Sequence, residues 1–367
     1  MFGDRWQVFG MACRTPTTKH RTPAPDKSTG ETRFLGENGF LNRVGGKCQV
    51  SRSNETMWAT VAVVILTLSR ESLSASNPLN VVTTTTDLAA IAEAVGGARV
   101  NVETLGRAGE DPHNVAARAS DVVKLNKADL FVRVGLELEV RLRALTDGAR
   151  NAKILLGGPG YVDASAGVKL LEKPVTRLDR FTGSADAHVF GNPHYWLDPL
   201  NGKVIATNIA AGLKRIAPAD ADGFEQNLKS FCAQVDERLA GWLKLMAPYK
   251  DAKVVTYHRS WPNFAHRFGL QVVNCVEPKP GVPPSPTHIA GLIAQMKADD
   301  IKVILQEPYF DTKIGKSLSE TTGARLLVLP PSVGGEESIR TYFDLFDRNL
   351  AKLVDAFKET GVRGATP

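Results

Sequence analysis

Three histidines, each in a different segment of the chain, are the residues with the clearest capacity for chemistry. His113 ends the sequence GEDPH, His194 is the second residue of PHYWLDP, and His258 ends the sequence VVTYH. Neutral imidazole is the commonest zinc ligand, and three imidazoles with one oxygen make a tetrahedral zinc shell. A compact zinc module takes its ligands from one short stretch, but roughly 145 residues separate the first of these histidines from the last. A complete tertiary fold therefore has to bring them together.

The local settings of the three histidines favour ligand binding over the alternatives, which are a core histidine or a solvated loop histidine. His258 ends a predicted strand, and in open α/β sheets ligands bind beyond the carboxyl ends of the strands. His113 follows a second predicted strand through a glycine-containing loop. His194 precedes Trp196, which can pack beneath a site, and Asp198, which we assign to helix capping rather than to coordination.

The remaining histidines have weaker settings. We expect His188 to lie in a solvated loop, although it could also line an entry path to the metal. His266 and His288 fall within predicted helices, and we expect both to be surface residues. His20 belongs to an N-terminal segment that we expect the mature protein to lack.

From Leu79 onward, short β-rich segments alternate with helical ones, and this rhythm predicts parallel, doubly wound sheets. The first set has predicted strands at 80–84, 100–105, 130–134 and 153–156, with helices at 87–95, 120–127 and up to about 149. The second set has predicted strands at 253–257, 271–275, 303–306 and 326–329, with helices at 261–268, 287–298, 313–322 and 338–358. We therefore predict the α/β class, with two doubly wound α/β lobes.

A long helical region lies between the two sets. Asp198-Pro199 suits a helix start, with aspartate as the cap and proline at the first helical position. Pro218 starts a second helix of about 27 residues, or roughly 40 Å. Its apolar residues recur at steps of three and four, and they are Phe224, Leu228, Phe231, Val235, Leu239, Trp242 and Leu245. We predict an N-terminal lobe at 76–217, a linking backbone helix at 218–247 and a C-terminal lobe at 248–367.

The composition is that of an ordinary globular protein. The chain has 367 residues, of which 43% are hydrophobic and 23% charged, and its formal net charge is +6. Much of the positive excess lies in residues 1–75, so the basic balance says little about the folded part. No basic stripe interleaves with aromatic residues, which argues against nucleic acid as a partner.

The N-terminal 75 residues differ from the rest of the chain. Residues 1–56 lack a sustained apolar period, and we interpret them as disordered or as the product of an upstream start codon. An apolar run at 57–68 is followed by small residues at 72–76, a pattern typical of a secretory signal peptide over 57–75. The alternative is a buried strand or helix of a cytosolic domain. No cysteine stands at the cleavage region, so the sequence does not support a lipid-anchored form.

Two of the four cysteines, Cys232 and Cys275, would remain in an exported protein. An oxidising compartment would permit a bridge between them. Each also sits in an apolar periodic stretch, where a free buried thiol is common. The sequence alone leaves both states open.

The segments around the three histidines, together with EPKPG at 277–281 and PSP at 284–286, resemble the zinc/manganese solute-binding receptors of ABC transporters, a family that includes adhesin-like proteins. The resemblance covers about 79–358, and the HxWLDP element is its most specific motif. It implies two lobes joined by a backbone helix, with the metal held at their interface. His113 and His194 match the ligands of the N-terminal lobe. His258 matches a third position that is histidine in zinc-type members and often glutamate in manganese-type members, which favours Zn²⁺ over Mn²⁺ as the ligand.

The sequence departs from the family at the fourth ligand. Many members have an aspartate where this chain has Pro331, whose side chain cannot coordinate a metal. Glu307, at the end of a predicted strand, is the nearest alternative oxygen donor. The alternatives are a local structural role for Glu307 and a water ligand at the fourth position. The loop at 179–191 is short and has one histidine, so metal scavenging by a histidine-rich loop is not expected.

These features predict a monomeric periplasmic receptor that binds zinc and delivers it to an ABC transporter permease in the inner membrane, without catalysis. Binding requires neutral imidazoles, so we expect the affinity to fall as pH drops. The first rival is an exported zinc hydrolase, because three histidines and a water also form a catalytic arrangement. In that case Glu307 would have to be the general base. The second rival is an adhesin in which the metal is structural.

Overall fold

The computed structural model describes residues 77–139, 142–172, 190–279 and 281–364, which all lie in one compact unit, Ser74–Pro367. Several sequence predictions lie outside the described residues. They concern the N-terminal extension, the signal peptide, His20 and His188.

The first lobe is built on a four-stranded parallel sheet in the order β2-β1-β3-β4. Its strands are β1 (Leu79–Thr83), β2 (Val100–Thr104), β3 (Leu130–Arg133) and β4 (Tyr161–Asp163), and its helices are α1 (Thr86–Gly96), α2 (Ala119–Lys127) and α3 (Leu142–Ala149). The first three residues of β3 are buried, as expected for a strand covered on both faces by helices. Because these strands are parallel, the carboxyl ends of β1, β2 and β3 share one edge of the sheet.

The second lobe repeats this arrangement with a parallel sheet in the order β6-β5-β7-β8. Its strands are β5 (Lys253–Thr256), β6 (Gln271–Cys275), β7 (Val303–Gln306) and β8 (Arg325–Val328). Its helices are α6 (Pro262–Phe268), α7 (Pro286–Ala298), α8 (Thr312–Thr322) and α9 (Tyr342–Thr360). In each lobe the second strand in sequence is at the sheet edge, beside the first. The predicted fold class, two doubly wound α/β lobes, is confirmed.

Two helices lie between the lobes in the chain, α4 (Pro199–Ile216) and α5 (Ala221–Met246). The 26 residues of α5 bury one stripe, which includes Phe224, Phe231 and Trp242. This stripe packs against α4 and α1 of the first lobe and against α9 of the second. One continuous hydrophobic cluster includes residues of both sheets and of α5. The domain boundaries that we place at 217 and 247 remain a prediction.

One predicted strand is wrong. Residues 153–156 do not join the sheet: Ala152–Ile154 forms a 3₁₀ turn, and the fourth strand is Tyr161–Asp163. The Asn151 side chain accepts a hydrogen bond from the Lys153 backbone and starts this turn. Leu155 and Leu156, which made the segment look like a strand, are 39% and 85% exposed. Apolar composition without tertiary partners was therefore a misleading signal here.

The start of the last helix also differs from the prediction. It begins at Tyr342 rather than near residue 338, because Thr341 and Asp344 form a reciprocal capping box.

Cys232 and Cys275 are free thiols, so the alternative of a bridge between them is not realised in the structure. Among the described residues, no helix is long and apolar enough to cross a membrane.

Candidate metal centre

The fold brings His113, His194 and His258 together. Their ring centroids lie 5.1, 5.2 and 5.4 Å apart, and one possible ligand atom from each lies within 4.8 Å of the others. The Nε2 atoms of His113 and His194 are 3.1 Å apart. Two nitrogens on one tetrahedral zinc ion, each at about 2.0–2.1 Å, would be roughly 3.3 Å apart. Within the described part of the chain, no other three His, Cys, Asp or Glu side chains bring possible ligand atoms this close together.

His113 is presented by a short 3₁₀ turn, Pro112–Asn114, that follows β2. The Asp111 side chain caps this turn, and its Oδ1 accepts a hydrogen bond from the His113 backbone N–H at 3.0 Å. Pro112 at the first position of the turn fixes φ in the helical range. The backbone of the ligand is thus set by the two residues that precede it.

His194 is presented in the same way. The Asn192 side chain accepts a hydrogen bond from the His194 backbone N–H at 3.0 Å, again across a proline. His194 is 1% exposed, and its ring lies 5.2 Å from the buried Trp196 ring. The Trp196 indole N–H donates to the Pro331 carbonyl in the second lobe at 2.9 Å. The prediction that Trp196 packs beneath this histidine is confirmed.

Asp198 caps α4, as predicted from Asp198-Pro199. Its Oδ1 accepts from the Leu200 backbone N–H at 2.9 Å. The same carboxylate binds the Arg267 guanidinium through two hydrogen bonds of 2.7 and 2.8 Å. Because Arg267 belongs to α6, this two-point ion pair joins the first lobe to the second.

His258 follows the end of β5 and is 3% exposed. Its Nδ1 lies 2.6 Å from Oε2 of Glu277, which is 6% exposed. The other carboxylate oxygen, Oε1, accepts from the Gly281 backbone N–H at 2.7 Å. With Nδ1 directed at Glu277, Nε2 is the nitrogen of His258 that can face a metal. Glu277 lies in the EPKPG motif, but the motif alone does not predict this contact.

Glu307 lies just beyond β7 and is fully buried. Its Oε1 accepts from the Trp261 indole N–H at 3.0 Å. Burial raises the pKa of Glu307 from its ordinary value of 4.5 to about 7, against an opposing effect of the nearby His258. Its carboxylate is not in the group of ligand atoms formed by the three histidines. The sequence-based assignment of Glu307 as fourth ligand stays a prediction.

The sequence that forms this site matches a known protein family. The model of the ZnuA family, described as "Zinc-uptake complex component A periplasmic", matches residues 81–356. The chain belongs to the ZnuA family. The resemblance predicted from the three histidine segments is therefore confirmed.

Among the similar sequences, the zinc-binding protein AdcA of Streptococcus pyogenes is 26% identical over 288 residues, 76% of this chain and 56% of AdcA. The high-affinity zinc uptake system protein ZnuA of Brucella abortus is 28% identical over 166 residues, 45% of this chain and 49% of that protein. This chain thus spans about half the length of these relatives.

Among solved structures, the solute-binding protein FpvC of Pseudomonas aeruginosa in complex with Mn²⁺ is 26% identical. It has a TM-score of 0.65, and the match covers 78% of this chain and 100% of FpvC. A crystal structure of ZnuA has a TM-score of 0.64 at 22% identity, with 76% and 99% covered, and this likeness shows the common fold.

At Pro331, where the resemblance leads us to expect an aspartate, the backbone carbonyl accepts the Trp196 hydrogen bond. The next residues contact the first lobe: the Val333 backbone N–H donates to Oδ1 of Asp87 in α1 at 3.0 Å. Burial raises the pKa of Asp87 from 3.8 to about 7, although hydrogen bonds from Val333 and Ser332 oppose the shift. In this chain, the segment therefore joins the lobes through buried hydrogen bonds.

The two histidines that we predicted to be surface residues differ in exposure. His266 is exposed on α6. His288 is only half-buried at the start of α7, and its Nε2 lies 2.9 Å from the Cys275 carbonyl. The prediction of a surface position holds for His266, whereas the ring of His288 contacts the last residue of β6.

Asn192, Glu277 and Asp87 were not predicted from the sequence. A repeated Asx-Pro-His pattern, at 111–113 and 192–194, would have identified Asn192. No comparable signal exists for Asp87, because its partner is 246 residues away.

Proposed function

We propose that this protein is a periplasmic receptor that binds zinc and delivers it to an ABC transporter permease in the inner membrane. The observation that carries the proposal is the convergence of three imidazoles from two lobes, with the Nε2 atoms of His113 and His194 3.1 Å apart. The similarity to a zinc-binding protein and to a zinc uptake protein supports the same ligand. In this proposal the metal is cargo, and the protein performs no chemistry on it.

The ligand set supports zinc over manganese. Imidazole nitrogen suits zinc, whereas manganese favours carboxylate, carbonyl and water oxygens. The FpvC structure contains Mn²⁺, so manganese is the competing ion to test. We propose that His113, His194 and His258 are three ligands, and that an oxygen donor, either the Glu307 carboxylate or solvent, completes the shell.

The hydrolase alternative requires a general base beside the metal. Glu307 is the candidate, but one of its oxygens accepts the Trp261 indole N–H. That hydrogen bond engages one of its two oxygens in a contact within the second lobe. Family membership also supports a transport receptor rather than an enzyme.

Metal binding by the purified protein tests the proposal. We expect about one zinc ion per chain, and a higher affinity for zinc than for manganese in competition with a chelator of known affinity. Replacement of His113, His194 or His258 by alanine should weaken zinc binding by orders of magnitude, since few bonds supply the whole free energy of binding. His266→Ala is the matched control, because this histidine is exposed on α6. If two of the three site variants bound zinc like the parent, the site assignment would be wrong.

Cellular experiments test delivery and location. Deletion of the gene should reduce zinc import, and expression of the parent protein, but not of His194→Ala, should restore it. Retained import with lost adhesion would support the adhesin alternative.

N-terminal sequencing of the exported protein should begin near Ser76 or Asn77, whereas a cytoplasmic protein that begins at Met1 would contradict a periplasmic receptor. A monomer in solution is also expected, and light scattering measures this directly.

A further inference from the structure

The ring of His258 is held from behind by a carboxylate whose own orientation is fixed. Oε2 of Glu277 lies 2.6 Å from Nδ1, and both side chains are almost completely buried. The second oxygen accepts the Gly281 N–H at 2.7 Å. Gly281 has φ of 72°, a left-handed conformation that favours glycine, and a backbone bridge between Lys279 and Val282 closes the turn around it. The carboxylate is therefore locked at both oxygens.

This contact determines which nitrogen of His258 carries the proton. An ionised carboxylate only accepts hydrogen bonds, so Nδ1 has to be the protonated nitrogen of the neutral ring. The lone pair is then on Nε2, the atom that can coordinate a metal. A carboxylate behind a ligand imidazole also increases the basicity of the coordinating nitrogen.

From this geometry we infer that Glu277 is a positioning residue that fixes the ring orientation and tautomer of His258, and thereby sets the affinity of the site for zinc. This inference deepens the proposed function and rests on it. Glu277 itself does not touch the metal in this arrangement. Loss of such a partner typically weakens metal binding by about 10- to 100-fold.

Glutamine at this position distinguishes orientation from simple space filling. Its amide has one acceptor and one donor end, whereas both neighbours of Glu277 require acceptors. If the amide oxygen faces Gly281, the NH₂ group faces Nδ1 and favours the tautomer with the proton on Nε2, which blocks coordination. If the amide is reversed, two donors meet at Gly281. Glu277→Gln should therefore lose zinc affinity by about 10- to 100-fold, at least as much as Glu277→Ala, although glutamine nearly conserves the shape.

A double-mutant cycle tests whether Glu277 acts through His258. Zinc affinity is measured by chelator competition for the parent, Glu277→Gln, His258→Ala and the double variant, with Glu336→Gln as control, a glutamate that pairs with Arg348 on the same lobe. We expect the Glu277→Gln loss to shrink to less than about threefold in the His258→Ala background. An equal loss in both backgrounds, or a Glu277→Gln variant within threefold of the parent, overturns the inference.

The tautomer can be measured without metal. Long-range ¹H–¹⁵N spectra of the metal-free parent should show His258 protonated at Nδ1, and the spectra of Glu277→Gln should show a shift toward protonation at Nε2. Unchanged thermal unfolding of Glu277→Gln would exclude a general structural loss. A parent that binds no zinc contradicts the proposed function, whereas a parent that binds zinc with His258 protonated at Nε2 contradicts this inference alone.

Discussion

The two lobes hold their histidines in different ways. In the first lobe, Asp111 and Asn192 each accept the backbone N–H of the histidine two residues later, at 3.0 Å in both cases. In the second lobe, Glu277 contacts the His258 ring itself, at 2.6 Å. The first device fixes where the main chain presents the ligand, and the second fixes how the ring points. A substitution in the first lobe should therefore alter the backbone of the site, whereas one in the second should alter the chemistry of a nitrogen.

The largest effect on stability should come from the aromatic support of the first lobe. Trp196 is fully buried, and Trp196→Ala should lower the free energy of unfolding by about 3–5 kcal/mol, because it leaves a large cavity. Trp196→Phe should cost about 1–3 kcal/mol, because the Pro331 carbonyl loses its donor. Urea unfolding measures both. Trp261→Phe is the matched variant of the second lobe, since it removes the donor to Glu307. A loss below 1 kcal/mol for Trp196→Ala would contradict a supporting role.

The next effect concerns the carboxyl that joins the lobes. The folded protein holds a proton on Asp87 up to its pKa of about 7, whereas the ordinary pKa is 3.8. The stabilisation from this proton is complete below the lower value and is lost as pH rises through the higher one. Asp87→Asn does not titrate, so its stability relative to the parent should rise by about 2 kcal/mol from pH 5 to pH 7.

Urea unfolding of the metal-free proteins at both pH values measures this difference. Groups outside the substitution, including Glu307, titrate in both proteins and cancel. Tyr342 of α9, whose pKa is raised by burial, is a titratable neighbour of Asp87. Its phenol stays neutral in this pH window. A constant difference between the two proteins from pH 5 to pH 7 would contradict the raised pKa.

A smaller effect should follow from the loss of one cap in the first lobe. Asp111→Ala removes the acceptor for the His113 N–H and should cost about 1 kcal/mol of stability, as for other caps. Asp111→Asn keeps the acceptor and is the control. Zinc affinity should fall less than it does for Glu277→Gln, because the His113 ring keeps its own chemistry. The reverse order of affinities would break the distinction between the two lobes.

The smallest effect is expected at Glu307. If solvent is the fourth ligand, Glu307→Gln keeps the shape and an acceptor for Trp261, so zinc affinity should fall by less than about tenfold, or 1.4 kcal/mol. Titration of the variant and the spectrum of its cobalt-substituted form measure this change and any solvent ligand. A loss of several orders of magnitude, with a carboxylate oxygen at roughly 2.0–2.2 Å from zinc in the parent, would establish Glu307 as the fourth ligand instead.

Local signals in the sequence were sufficient for the fold class, the three histidines and the cap at Asp198. Each depends on strand periodicity or on residues within a few positions of one another. The strand predicted at 153–156 failed because Leu155 and Leu156 found no buried surface. The roles of Glu277 and Asp87 depend on partners 19 and 246 residues away. Such contacts are properties of the folded chain, and no local pattern encodes them.

The segment that carries His194 also bonds the second lobe along its length. Asn192 donates to the Arg259 carbonyl at 2.8 Å, Trp196 to the Pro331 carbonyl at 2.9 Å, and Asp198 holds Arg267. If an ion leaves by separation of the lobes, these bonds have to break along with the bonds to the metal. At about 1 kcal/mol for each neutral bond and more for the ion pair, they would slow escape by roughly 100-fold or more. In the proposed receptor, the residence time of the metal would then be set partly by residues that never touch it, and a transport partner would hasten unloading by competing for these contacts alone.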